Sequence, residues 1–419
     1  MKNVLPRKIC AVMESLPELT SPALLEQVEI LGKMGFSIQI VSLKTSEPQD
    51  RLTFHPRLRA EIDYLEFSPG KIIPGLLTAL LLMLITPIKT IKAFVKMLKF
   101  LFEFRERGEV IKNYFQAVLM VNQHILNKEI THIHSQASLS AARTAILAAE
   151  MTGLSLSFIA LPGEIYNAHG RLLKYILQEA DFILTISKYD QNYIIKNIFN
   201  AQPDTPTTLC FLNGINLDFF QFKKRIKPAQ EPFKIITTAC LTRKKGIDVV
   251  LRALYILKQQ GIKFNYQIVG DGPEKTNLQQ LAAELGLTDA VEFAGQTARY
   301  KISKLLENAD LFVIAPRILD NGERDAIPTG MLEAMAMGVP VTVTRLPGIE
   351  EVIEDEETGL LVSPENPEAF AAACLRLLTD SELQQMIIMK ARLYIEGCRD
   401  IHQQAKNFIE FINTHDLRF

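Results

Sequence analysis

The chain has 419 residues, a length that suits two or three domains rather than one. Hydrophobic residues make up 48% and charged residues 22%, which excludes a disordered chain, a collagen-like repeat and a disulfide scaffold. With 46 basic and 47 acidic side chains the net charge is −1, so a generally basic nucleic-acid binder is excluded and no nucleic-acid partner is expected.

From the start of the chain, KICAVME (8–14) reads as a strand. Ser21-Pro22 then has the form of a helix cap followed by a first-turn proline. Leu24, Val28 and Leu31 supply an apolar stripe, Gly35 ends the helix, and FSIQIVSL (36–43) is the next strand. Further strands are expected at THIHS (131–135), LSFIAL (156–161), ADFILTIS (180–187) and TLCFLNG (208–214). The polar, proline-containing stretch QFKKRIKPAQEP (221–232) reads as a linker.

Beyond it the alternation is regular. KIITTA (234–239), YQIVG (266–270), VEFAG (291–295), LFVIA (311–315), PVTVT (340–344) and GLLV (359–362) read as strands. Helical segments at 247–260, 274–285, 300–308 and 329–337 separate them. Such spacing predicts βαβ crossovers and a parallel sheet covered on both faces. The expected class is α/β, with two Rossmann-like, doubly wound domains at 1–222 and 234–399 and a linker at 223–233. A C-terminal helix at about 400–419 is a candidate for packing back on the first domain.

Residues 72–104 stand apart. Their uncharged part, 72–88, is interrupted by Pro74, Gly75 and Pro87, whereas a spanning helix wants about 20 clean apolar residues. Lys89, Lys92, Lys96 and Lys99 then share one helical face, opposite Ile91, Phe94, Val95, Leu98 and Phe102. That pattern fits a helix lying on an anionic membrane surface; a hairpin packed on its own domain and a spanning segment are the alternatives.

Several chemical signatures are missing. GDGPEKT (270–276) has the wrong spacing for a P-loop, and MESLPELTSP carries no G-x-G-x-x-G. The five cysteines (Cys10, Cys210, Cys240, Cys374, Cys398) form no C-x-x-C pair, and His132 and His134 lack a third ligand, so no metal site is expected. Free thiols, and an N-terminus without a secretory apolar run, make a cytoplasmic location the expectation.

What remains is DNGERDAIPTGMLEAMAMG (320–338). Pro328-Thr329 opens a helix that holds Glu333 in its second turn and stops at Gly338, and the amides of its first turn make an anion site. Asp325 lies eight positions before Glu333. Two carboxylates flanking such a helix start can bind different hydroxyls of one ligand whose phosphates sit between them.

Residues 325–362 closely resemble the donor-binding segment of glycosyltransferase family 4, with its E-x7-E pattern. LTRKKGIDVVLRAL (241–254), YQIVGDGPE (266–274), FLNGINLDFF (211–220) and ADFILTISKYDQNYI (180–194) agree with it, and the opening segment is similar to the colanic-acid and exopolysaccharide branch. The resemblance implies a GT-B fold, two Rossmann-like domains with the active site in an interdomain cleft. It implies a retaining transfer from a UDP- or GDP-linked sugar to a polysaccharide or lipid-linked acceptor, with no cofactor and no obligatory metal. By position, Glu333 would hold the ribose, Asp325 a donor-sugar hydroxyl and Lys245 the diphosphate. Thr329 and Gly330 would meet phosphate oxygens, Gly270 and Gly272 would keep their loop slim, and Glu164 would supply a catalytic acid.

Four departures from the family pattern stand out. The first acid is Asp325, one methylene shorter than Glu; Leu161 replaces the histidine of H-x-x-[DE]; Cys240 replaces an arginine five residues before the lysine; and Gln136 stands where a histidine is common. Two functions are therefore expected as alternatives: an exopolysaccharide glycosyltransferase at the inner face of the plasma membrane, touching it through about 72–104, or a catalytically degenerate relative that binds a nucleotide sugar or serves as a scaffold.

Overall fold

A computed structural model describes residues 8–15, 32, 35–44, 61–126, 128–167, 170–203, 205–212, 214–223, 230–297, 299–325 and 327–414. The helix expected from Ser21 lies outside them, as does the middle of the expected linker. The chain divides into two compact units: Met1–Ile186, Asp190–Phe211 and Ala405–Phe419 in one, Ser187–Tyr189 and Leu212–Gln404 in the other.

The first unit is built on seven parallel strands: β1 (Lys8–Met13), β2 (Ser37–Ser42), β3 (Glu61–Tyr64), β4 (His132–Gln136), β5 (Ser155–Ile159), β6 (Phe182–Thr185) and β7 (Thr207–Cys210), ordered β3-β2-β1-β4-β5-β6-β7. β3 is the one strand of this sheet absent from the sequence reading. Four helices carry most of the cover discussed below: α1 (Ile72–Ile85), α2 (Pro87–Glu103), α3 (Arg107–Met120) and α4 (Leu139–Thr152).

In the second unit six parallel strands run in the order β10-β9-β8-β11-β12-β13. They are β8 (Phe233–Thr238), β9 (Phe264–Val269), β10 (Val291–Gly295), β11 (Leu311–Ile314), β12 (Val341–Thr344) and β13 (Leu360–Val362). Alternate residues of a strand point to opposite faces, and both faces here are apolar. Leu311 and Val313 join one core with the Ile247–Gln259 and Pro367–Thr379 helices. Phe312 and Ile314 join another with the Thr329–Ala336 helix. A sheet buried on both sides is the doubly wound arrangement expected from the sequence.

Candidate active site

In the second sheet, chain order runs outward in opposite directions from the β8–β11 pair. Loops leaving the carboxyl ends of two such strands diverge and open a crevice, the usual ligand position in open α/β sheets. The residues after β8 and after β11 therefore define the place to look. A cavity of about 530 Å³, lined by Lys234, Asn265 and Asp289 among others, lies along the amino-terminal halves of β8 and β9 and thus belongs to the opposite edge.

The segment after β8 turns through Arg243–Lys245 and enters the Ile247–Gln259 helix at Gly246. Gly246 has φ +63°, and a Cβ there would lie 1.7 Å from the Ala315 carbonyl oxygen, so only glycine lets the two loops touch. Arg317 fixes the same turn: its backbone N–H donates to the Lys244 carbonyl at 3.0 Å and its Nε to the Arg243 carbonyl at 2.9 Å. Its guanidinium also meets Asp248 and, at 2.8 Å, Glu365.

Lys245 Nζ donates to Asp325 Oδ2, with both side chains largely buried. Next to this pair, Lys244 meets Glu323 at 2.9 Å. Two consecutive lysines are thus matched to two acids of the 320–325 loop. Pro328 caps the Thr329–Ala336 helix with extended backbone, and Glu333 is buried within it. Gly330 packs so closely on β8 that a Cβ would lie 2.1 Å from Thr238 Oγ1 and 2.6 Å from the Thr238 carbonyl oxygen. The helix start and its amides are held at the end of β8 by this contact. Thr238 Oγ1 and Thr242 Oγ1 are buried without a hydrogen-bond partner among the described residues.

Gly270 and Gly272 follow β9. A Cβ at either would lie 1.8 Å from the Ala239 carbonyl oxygen or 2.5 Å from that of Leu241, so their slimness serves the contact with the segment after β8. Burial raises the Cys240 thiol above its ordinary range despite Lys245 and Lys244, so this position contributes no fixed positive charge.

In the first unit, Glu164 Oε2 accepts the Leu161 backbone N–H at 2.9 Å, bridging back to the residue that precedes the Pro162–Asn167 helix. This is one half of a capping box and gives Glu164 a structural task. His132 meets Ser155 and Ser157 at 2.7 and 2.6 Å, and His134 meets Ser157 at 2.7 Å. Both histidines thus have local hydroxyl partners across β4 and β5.

Taken by its sheets and crossovers, the molecule has the two-unit α/β architecture of GT-B glycosyltransferases. A glycosyltransferase from Rickettsia africae shares the fold at a TM-score of 0.68 and 18% identity, over 97% of this chain and 98% of that one. Anabaena Alr3699/HepE, solved with UDP and glucose, matches at a TM-score of 0.69 and 14% identity, over 97% and 100%.

Residues 218–394 match the family model described as glycosyl transferases group 1. The chain is 34% identical over 247 residues to a putative colanic acid biosynthesis glycosyltransferase, WcaL, of Escherichia coli K12, covering 58% of this chain and 59% of the relative. It is 31% identical over 248 residues to the amylovoran biosynthesis glycosyltransferase AmsK of Erwinia amylovora, covering 59% and 60%. The matches span about three fifths of these relatives' length.

Proposed function

We propose that this protein is a retaining glycosyltransferase of surface-polysaccharide assembly. It moves a sugar from a UDP- or GDP-linked donor to a polysaccharide or lipid-linked acceptor at the cytoplasmic face of the membrane. The supporting observation is the convergence of Lys245, Asp325 and the start of the Glu333 helix at the switch point of the second sheet. Exopolysaccharide relatives and a structural neighbour bound to UDP and glucose support the substrate class.

The chemistry required is stabilisation of a leaving nucleoside diphosphate. Lys245 supplies a cation, and the amides of Thr329 and Gly330 at a helix N-terminus supply oriented partial charge, so the reading calls for no metal. Asp325 takes a sugar hydroxyl when Lys245 turns from it to the diphosphate, and Glu333 holds the ribose. Incubation with labelled UDP- and GDP-sugars is expected to give transfer or slow donor hydrolysis, abolished by Glu333→Ala with the fold intact. Absence of both reactions from a properly folded chain would reject the reading.

Leu161 and Cys240 support a second reading, a relative that binds a nucleotide sugar without turning it over. Neither side chain can replace the charge or hydrogen bonds of the residue it displaces. Donor binding without turnover, with activity gained on Leu161→His and Cys240→Arg, would favour this alternative.

A further inference from the structure

The cover of the first sheet includes two helices with an outward surface that does not suit water. α1, IIPGLLTALLLMLI, has no charged residue and buries Gly75 and Leu82. These lie on its inner side with the half-buried Ala79, and Gly75 seats against the Phe115 ring, which a Cβ would approach to 2.7 Å. Ile73, Leu76, Leu77, Leu80, Leu81 and Leu84 are all exposed, Leu84 to 82%. A helix apolar all round is normally buried, and this one is not.

α2 continues the surface after the single residue Thr86. It buries Thr90, Ala93, Met97 and Phe100, one stripe at three- and four-residue spacing. Ile88, Ile91, Val95, Leu98 and Phe102 point away from that stripe and are exposed, Phe102 to 88%. Of the four lysines expected to share one face, two turn to partners within the unit. Lys89 donates to the Thr152 carbonyl oxygen at 2.5 Å, and Lys96 pairs with Glu179 and, at 2.8 Å, with Glu150. Those two lysines fasten α2 to its own unit and leave Lys92 and Lys99 exposed beside the apolar band.

From this arrangement we infer that α1 and α2 insert side-on into one leaflet of a phospholipid bilayer, driven mainly by their apolar surface and only secondarily by charge. At 1.5 Å per residue the 14 residues of α1 reach about 21 Å, short of the ~30 Å hydrocarbon core, and α2 carries four lysines, so neither spans. No helix among the described residues is long and apolar enough to cross a membrane. Anionic headgroups beside a hydrocarbon layer complement both the apolar band and the exposed Lys92 and Lys99 at its side. This deepens the membrane-face part of the proposed function but uses the first unit alone, and vesicle binding is read without sugar transfer, so either can fail separately.

The test is flotation of the full chain with phosphatidylcholine vesicles, with and without phosphatidylglycerol, at low and high salt. Binding to both is expected, the increment due to phosphatidylglycerol disappearing at high salt while the rest persists. Leu77→Glu with Leu84→Glu should reduce partitioning about tenfold or more. Lys92→Gln with Lys99→Gln should remove only the salt-sensitive increment, and Leu393→Glu, an exposed control in the second unit, should change nothing. The chain has no tryptophan, so Phe102→Trp reports insertion directly by a blue shift on vesicles, which covers the case of a glutamate variant that misfolds. Failure to float with either lipid, binding that high salt abolishes completely, or a Phe102→Trp signal already shielded in a lipid-free oligomer would overturn the inference.

Discussion

At position 330 one added methyl group has nowhere to go. Its carbon would sit 2.1 Å from Thr238 Oγ1 with the Thr238 carbonyl oxygen beside it, so Gly330→Ala must push the helix start away from β8. The expected cost is about 1–3 kcal/mol in denaturant unfolding of the second unit, with weaker donor binding as the helix amides shift. Lys245 and Asp325 make a sharper pair, since each neutralises the other. Lys245→Ala should weaken nucleoside diphosphate binding by about 1.5–3 kcal/mol, measured by calorimetry. Asp325→Asn releases the lysine from its counter-charge, so free nucleoside diphosphate should bind as well or better while transfer falls. Equal losses of both in Asp325→Asn would show that the acid serves only to position the lysine.

At the scale of the element, β4 and β5 predict a pH dependence. Burial holds His134 down at about 4 and His132 well below its ordinary 6.5, so both are neutral in the fold. The unfolded chain takes up protons near 6.5, hence this stability is fully present above that pH and is lost as pH falls. Between pH 6.5 and 5 His134 should remove up to roughly 1.4 kcal/mol per pH unit, with His132 acting in the same direction, and His134→Gln should flatten the fall in melting temperature of the first unit. The same elements show what a sequence displays. Strands such as LFVI announce themselves because both sheet faces are apolar, and 329–336 because proline opens it and glycine closes it. β3, EIDY, escaped because it is four residues long, half-exposed at the sheet edge and carries two acids. The Asp325–Glu333 spacing was legible for the candidate site. Arg317 was not, since its partners Asp248 and Glu365 are distant in sequence and only the fold brings them to the lysine turn.

For the whole molecule, the decisive feature is that the two units have separate cores. The first unit's apolar cluster draws on residues up to Phe199, and the clusters of the second on residues from Ile215 onward. A ligand held by Lys245, the Thr329 helix start and Glu333 touches only the second set, so its stabilisation should appear in one transition. At about 100 times its Kd such a ligand adds about 2.7 kcal/mol, or roughly 5–10 °C for a unit of this size. Calorimetric scans with UDP and with GDP should therefore raise the melting of the second unit and leave that of the first in place, the stronger nucleotide identifying the base. Gly330→Ala should shrink the shift, whereas the paired glutamates at Leu77 and Leu84 should leave it whole, because that surface lies in the other unit. A nucleotide that raised the first transition alone would move the binding site out of the β8–β11 crevice and away from every residue assigned to it.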